Sequence, residues 1–168
     1  MKLQPPTAPL PPFFAAVRRR DPDVDIVLLP PEEPGEVGEP VTDAEVGAVI
    51  ARIGAVAARA WADATDLPAE PETRVGYGPE RGTVVVKTRM MARAADGEQL
   101  VEALFSVLAD DGWRVARPGG GGVSRFLGRR DDLTVRVSHS EVSGGVVVDL
   151  SSDPMPVGVD RARELVRR

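Results

Sequence analysis

Between Trp113 and Ser151, four β-prone runs are separated by connections of only three to five residues, too short for anything but antiparallel neighbours. The runs are Trp113–Arg117, Val123–Arg129, Leu133–Ser140 and Gly145–Ser151. Pro118–Gly122, Arg130–Asp132 and Glu141–Gly144 form the turns. The third run alternates cleanly, with Leu133, Val135, Val137 and His139 on one side and Thr134, Arg136, Ser138 and Ser140 on the other. One face of this meander is therefore covered and the other wet.

Upstream, Thr83–Met91 is a further strand in which Val84, Val86, Thr88 and Met90 share a face. Two helices are written with their caps. Thr42-Asp43-Ala44-Glu45 is a capping box, followed by an apolar stripe from Val46 to Ala64 at helical spacing that stops before Pro68. Asp96-Gly97-Glu98-Gln99 repeats the capping logic, Leu100, Val101, Leu104, Phe105 and Leu108 line the buried side, and Gly112 is placed to end the helix. Residues 66–82, with three prolines and three glycines, read as a loop. Asp153-Pro154-Met155-Pro156 breaks the last strand, and a short helix beginning at Val157 or Asp160 closes the chain.

The expected fold class is α+β: a mostly antiparallel sheet of about five strands, two amphipathic helices packed on one face, and a short C-terminal helix. Residues 41–168 form that domain. Residues 1–40 form a Pro-rich arm holding a short helix from Phe13, stopped at Asp21-Pro22, a candidate edge strand at Val24–Leu29, and an acidic linker from Glu32 to Pro40.

The polar inventory is thin. There is no cysteine, which removes thiol nucleophiles, disulfides and thiolate metal sites, and one histidine offers no transition-metal site. His139 lies between Ser138 and Ser140, yet neighbours on a strand point to opposite faces, so neither serine reaches the imidazole as a nucleophile must. Gly119–Gly122 lacks the Lys-Ser/Thr and helix start of a phosphate loop and reads as a hairpin tip. The paired acids Glu32-Glu33, Asp110-Asp111 and Asp131-Asp132 are adjacent in sequence, not opposed across a cleft. No catalytic residue, metal ligand or cofactor is assigned.

Arginines 114, 117, 125, 129, 130 and 136 fall on consecutive strands and their turns, and several can gather on the wet face. A formal charge of −5, Asp131 and Asp132 beside the patch, and the lack of aromatic platforms disfavour nucleic acid; Trp113 and Phe126 are expected in the core. The expected activity is non-enzymatic binding, an adaptor engaging a protein partner through Arg125, Arg129 and Arg136 or through Phe13 and Phe14. A sensor holding a small anion between sheet and long helix is the alternative, and a hydrolase using His139 is a remote third. Phe13, Phe14 and Val24–Leu29 are the candidate elements for a homodimer. No run approaches the roughly 20 apolar residues of a membrane helix. No secretory signal is readable at the start, so a cytoplasmic location is expected.

Asp110-Asp111-Gly112-Trp113, the hairpin Arg129–Arg136 and the segment Val157–Arg168 with Arg163-Glu164-Leu165-Val166 carry a resemblance. Through them residues 82–168 resemble a domain of uncharacterised proteins and lipoproteins of actinobacteria. The resemblance implies an envelope or secretion association, with an accessory role in type VII secretion as one version. It implies no activity. The lipidated cysteine of such relatives has no counterpart in this sequence.

Overall fold

Local capping chemistry sets the helix boundaries in the computed structural model, which describes residues 12–23, 38–117 and 125–167. The chain divides into two compact units, Met1–Gly35 and Glu36–Arg168. In the first, α1 (Pro12–Arg20) ends just before Asp21-Pro22, as its sequence predicts, and the Phe13 and Phe14 rings meet edge to face at 5.3 Å. Val24–Leu29, expected as a strand, and most of the acidic linker lie outside the described residues.

In the second unit α2 (Asp43–Ala64) opens on the expected capping box: the Glu45 N–H donates to Thr42 Oγ1 and the Thr42 N–H to Glu45 Oε2. α3 (Gly97–Asp110) starts under Asp96, whose carboxylate accepts from the Gln99 N–H at 3.0 Å. Gly112 ends it at φ +81°, with the Trp113 N–H returning to Leu108 O and the Gly112 N–H to Ala109 O. That pair of bonds is a Schellman motif, which satisfies two helix-end carbonyls and delivers Trp113 into the core above Leu108. α4 (Val159–Val166) is the expected short C-terminal helix.

Among the described residues the sheet has seven strands, all antiparallel, two more than the sequence predicts. They are β1 (Glu72–Tyr77), β2 (Thr83–Arg93), β3 (Arg114–Ala116), β4 (Arg125–Arg130), β5 (Leu133–Ser140), β6 (Gly145–Ser152) and β7 (Met155–Pro156), in the order β1-β2-β6-β5-β4-β3 with β7 pairing β2. β3 to β6 are the meander. The segment 66–82, expected as a loop, instead supplies β1, which pairs with β2 from Glu72↔Arg89 to Tyr77↔Val84. Thr73 and Val75 are its only inward β-branched residues, and the Thr73 and Thr88 hydroxyls share a 2.8 Å hydrogen bond. The Asp153–Pro156 break is real but short. β6 pairs with β2 up to Ser151↔Lys87, the chain then bulges, and β7 takes up Val84 and Thr83. At the bulge the Ser152 hydroxyl accepts from the Val86 N–H at 3.0 Å, filling the place a ladder carbonyl has left.

α2 and α3 pack on one face of the sheet, as predicted. Their Ile53, Ala57, Trp61, Leu100, Leu104 and Leu108 meet Val86, Met90, Phe126, Val135, Val137, Val148 and Leu150 from the strands. A smaller cluster joins Val46 and Val84 to Val157, Ala162 and Leu165 of the C-terminal segment. Both helices lie on one side, and no described element of this unit covers the opposite, open face of the sheet.

Candidate functional site

Strand parity decides what the open face carries. Residues of β2 that alternate with the buried Val84, Val86, Thr88 and Met90 are Val85, Lys87, Arg89, Met91 and Arg93; they lie on the opposite face, where Val85 is buried and the other four are exposed. Register then lines up rows across the sheet. One row runs Arg74, Lys87, Ser151, Thr134, Arg129, Arg114; the next runs Glu72, Arg89, Asp149, Arg136, Leu127, Ala116. Arg125 lies opposite Ser138 on the same face.

The face thus holds eight cations: Arg74 from β1, Lys87, Arg89 and Arg93 from β2, Arg114 from β3, Arg125 and Arg129 from β4, and Arg136 from β5. Three carboxylates, Glu72, Asp149 and, just beyond β6, Asp153, oppose them. The face is +5 in a chain of −5, which leaves −10 for the rest of the sequence. Segregation of that size is what an acid-binding surface requires.

Two of the cations are neutralised locally. Arg89 grips Asp149 with both arms, at 2.7 and 3.0 Å, and these hydrogen bonds, then the carboxylate's charge, push the guanidinium above its ordinary pKa. Arg129 grips Asp153 in the same way, at 3.0 and 2.6 Å, with the same upward shift. Among the described residues, Arg74, Lys87, Arg93, Arg114, Arg125 and Arg136 make no ion pair. Arg74 stands directly across from Lys87, and Arg114 from Arg129, like charges that destabilise a sheet when placed opposite each other.

The sequence-predicted arginines divide. Arg125, Arg129 and Arg136 come together on the open face with Arg114, whereas Arg117 and Arg130 turn to the helix side. Arg117 pairs with Glu102 of α3 and covers the Phe105 ring at 4.6 Å; Arg130 pairs with Asp111 and covers Trp113 at 5.1 Å. Both were expected as patch members, and both act as clamps between strand ends and α3. Asp132 pairs with Arg52 of α2 on the helix side, and its charge still acts on Arg129, so it offsets part of the patch as its sequence position suggests. Phe13 is 70% exposed on α1, and belongs to the first unit with Phe14.

Arg74, Lys87, Arg89 and Arg93 were missed by sequence reasoning. β1 was not recognised, but the β2 residues were findable by continuing the alternation of Val84, Val86, Thr88 and Met90 to its complement.

Around the centre of the two rows lies a shallow cavity of about 390 Å³, lined among others by Arg74, Lys87, Arg89, Thr134, Arg136 and Asp149. Exposed Leu127 lines its edge, and exposed Met91 and half-buried Val147 stand further along the face. No aromatic side chain stands on this face among the described residues; Trp113 and Phe126 are buried, as predicted.

His139 is buried on the helix side, its ring against the backbone of Gly97, and Ser138 and Ser140 point to the other face. Its Nδ1 has no hydrogen-bond partner among the described residues. No group of three or more potential metal ligands occurs among them, and no described helix is long and apolar enough to cross a membrane. Gly119–Gly122 lie outside the described residues. Comparison with protein-family models, with curated proteins and with solved structures gives no match to this chain.

Proposed function

We propose that the protein is a non-catalytic binding protein that engages an acidic protein partner through the open face of its sheet. The observation that carries the reading is the segregation of charge: a face of +5, with six cations in no ion pair among the described residues, on a chain of −5. Cations spread over five strands of a rigid sheet are pre-ordered for contact, so little side-chain freedom is lost beyond the arginine and lysine rotamers. Met91, Leu127 and Val147 set apolar contacts among them, the mixture a protein partner uses. A single nucleic acid strand would need flat rings to stack its bases, and the described face presents none. The resemblance of residues 82–168 supports seeking the partner among envelope and secretion-associated proteins of actinobacteria.

The test is binding of hexaglutamate, then of partners captured from the native host, by wild type and by Arg125→Glu/Arg136→Glu. Capture by wild type of an acidic protein, lost in the double variant and at about 1 M salt, where the screening length falls to about 3 Å, is the expected result. Equal capture by the variant removes the sheet face from the interaction.

A further inference from the structure

We infer that the cavity at the centre of the open face seats one dianionic phosphoryl group, the phosphate monoester of a phosphorylated side chain or of a small metabolite. The inference rests on the open face being an anion-binding surface and names the group its centre takes.

Charge matches first. The cavity is lined by four cations, Arg74, Lys87, Arg89 and Arg136, and two carboxylates, Glu72 and Asp149, for a net +2. Asp149 is already held by both arms of Arg89, so that pair is satisfied within itself. Arg74, Lys87 and Arg136 carry no partner and remain to meet a ligand.

Donors match next. Two guanidinium forks and an ammonium, with the hydroxyl of Thr134 at the rim and Ser151 beside Lys87, supply more N–H and O–H groups than one carboxylate accepts. Three oxygens of a phosphoryl group can use them, and arginine forks suit phosphate in particular.

The arrangement also resists explanation by stability. Arg74 and Lys87 are directly opposed across β1 and β2 with no carboxylate between them, a pairing that weakens the free protein. An anion seated between them converts that repulsion into attraction.

The experiment uses the full chain, labelled for NMR and followed by thermal melting, with O-phosphoserine, glutarate, and hexaglutamate with and without one central phosphoserine. O-phosphoserine is expected to shift the amides around residues 74, 87, 136 and 151 and to raise Tm. Glutarate at matched ionic strength should bind at least about tenfold more weakly, since it offers fewer oxygens at one point. Binding of the ester should go on strengthening up to about pH 7.5, because its second proton leaves near pH 6, while glutarate, whose carboxyls lose their protons at lower pH, levels off sooner.

Lys87→Met and Arg136→Met should each weaken the ester by about tenfold. Lys87→Met should in addition melt above wild type in anion-free buffer and gain less than wild type when the ester is added, an exchange of stability for binding that a structural lysine would not show. A phosphopeptide that binds more tightly than free phosphoserine assigns the group to a modified partner; the reverse order assigns it to a metabolite. No response to O-phosphoserine, or a response in both methionine variants equal to that of wild type, overturns the seat. If that happens while plain hexaglutamate still binds and is lost in Arg125→Glu/Arg136→Glu, the seat alone falls. If neither peptide binds, the acidic-partner reading falls with it.

Discussion

Replacing Gly97 by alanine drives a methyl group into the imidazole of His139. A Cβ built on Gly97 would lie 2.2 Å from Cδ2, 2.3 Å from Nε2 and 2.8 Å from Cγ of that ring. Carbon atoms in contact sit about 3.5–4.0 Å apart, so the ring must retreat by more than an ångström. It has little room, being 7% exposed on the strand face that α3 covers. Overpacking of this kind costs about 1–3 kcal/mol, against which alanine returns up to about 1 kcal/mol of helix propensity, less at the first helical residue. Gly97→Ala should therefore destabilise the wild-type chain by about 1–2 kcal/mol. In a His139→Ala background the obstacle is gone, and the same change should be neutral or stabilise by up to about 1 kcal/mol. Urea denaturation of the four proteins measures both steps, and the expected coupling is about 2 kcal/mol with a reversal of sign. A Gly97→Ala effect of the same sign and size in both backgrounds refutes the argument.

Ser152→Ala leaves the Val86 N–H at the bulge without an acceptor in a buried position and should cost about 1–3 kcal/mol, read as a lower urea midpoint with unchanged slope. Hydrogen bonds from the Thr42 backbone, from Arg117 and from Arg52 hold the carboxyls of Glu45, Glu102 and Asp132 below their ordinary values. A carboxyl lowered in the folded state stabilises the fold above its unfolded pKa and loses that contribution as pH falls, so melting temperature should be level near neutrality and decline below about pH 4.5. Thr42→Ala should cost about 1 kcal/mol of capping at neutral pH, and Glu45→Gln should make the acid decline shallower by removing Glu45's share. An unchanged acid limb in Glu45→Gln contradicts the assignment.

What the sequence disclosed was mostly local. Thr42 and Glu45, Asp96, and the Gly112-Trp113 exit each write a helix end within a few residues, and the three short turns bind β3 to β6 into a meander without reference to the rest of the chain. β1 was illegible because Glu72–Tyr77 offers two inward β-branched residues between Pro71 and two glycines, and becomes a strand only because β2 presents it an edge. The site was legible in part for the same reason. Parity alone sends Arg125, Arg129 and Arg136 outward together, but whether a carboxylate joins them depends on register. Asp149 lands between its hairpin neighbour Arg136 and Arg89, which is 60 residues away in the chain, and Asp132, beside a turn whose Asp131 has φ +52°, reaches Arg52 of α2. Arg117 and Arg130 stand at strand ends, where α3 offers Glu102, Asp111 and ring faces that no strand pattern announces.

The place of β6 between β5 and β2 has a consequence for the order in which the protein is made. β2 leaves the ribosome well before β6, with a Val84-Val85-Val86 run and only the β1 hairpin to pair with. Its other edge stays open until Gly145–Ser152 emerges, with Asp149 following its partner Arg89 by 60 residues. A nascent chain stalled before Gly145 therefore exposes an unpaired valine-rich edge, a template for aggregation and a target for chaperones. Release of eight further residues closes it.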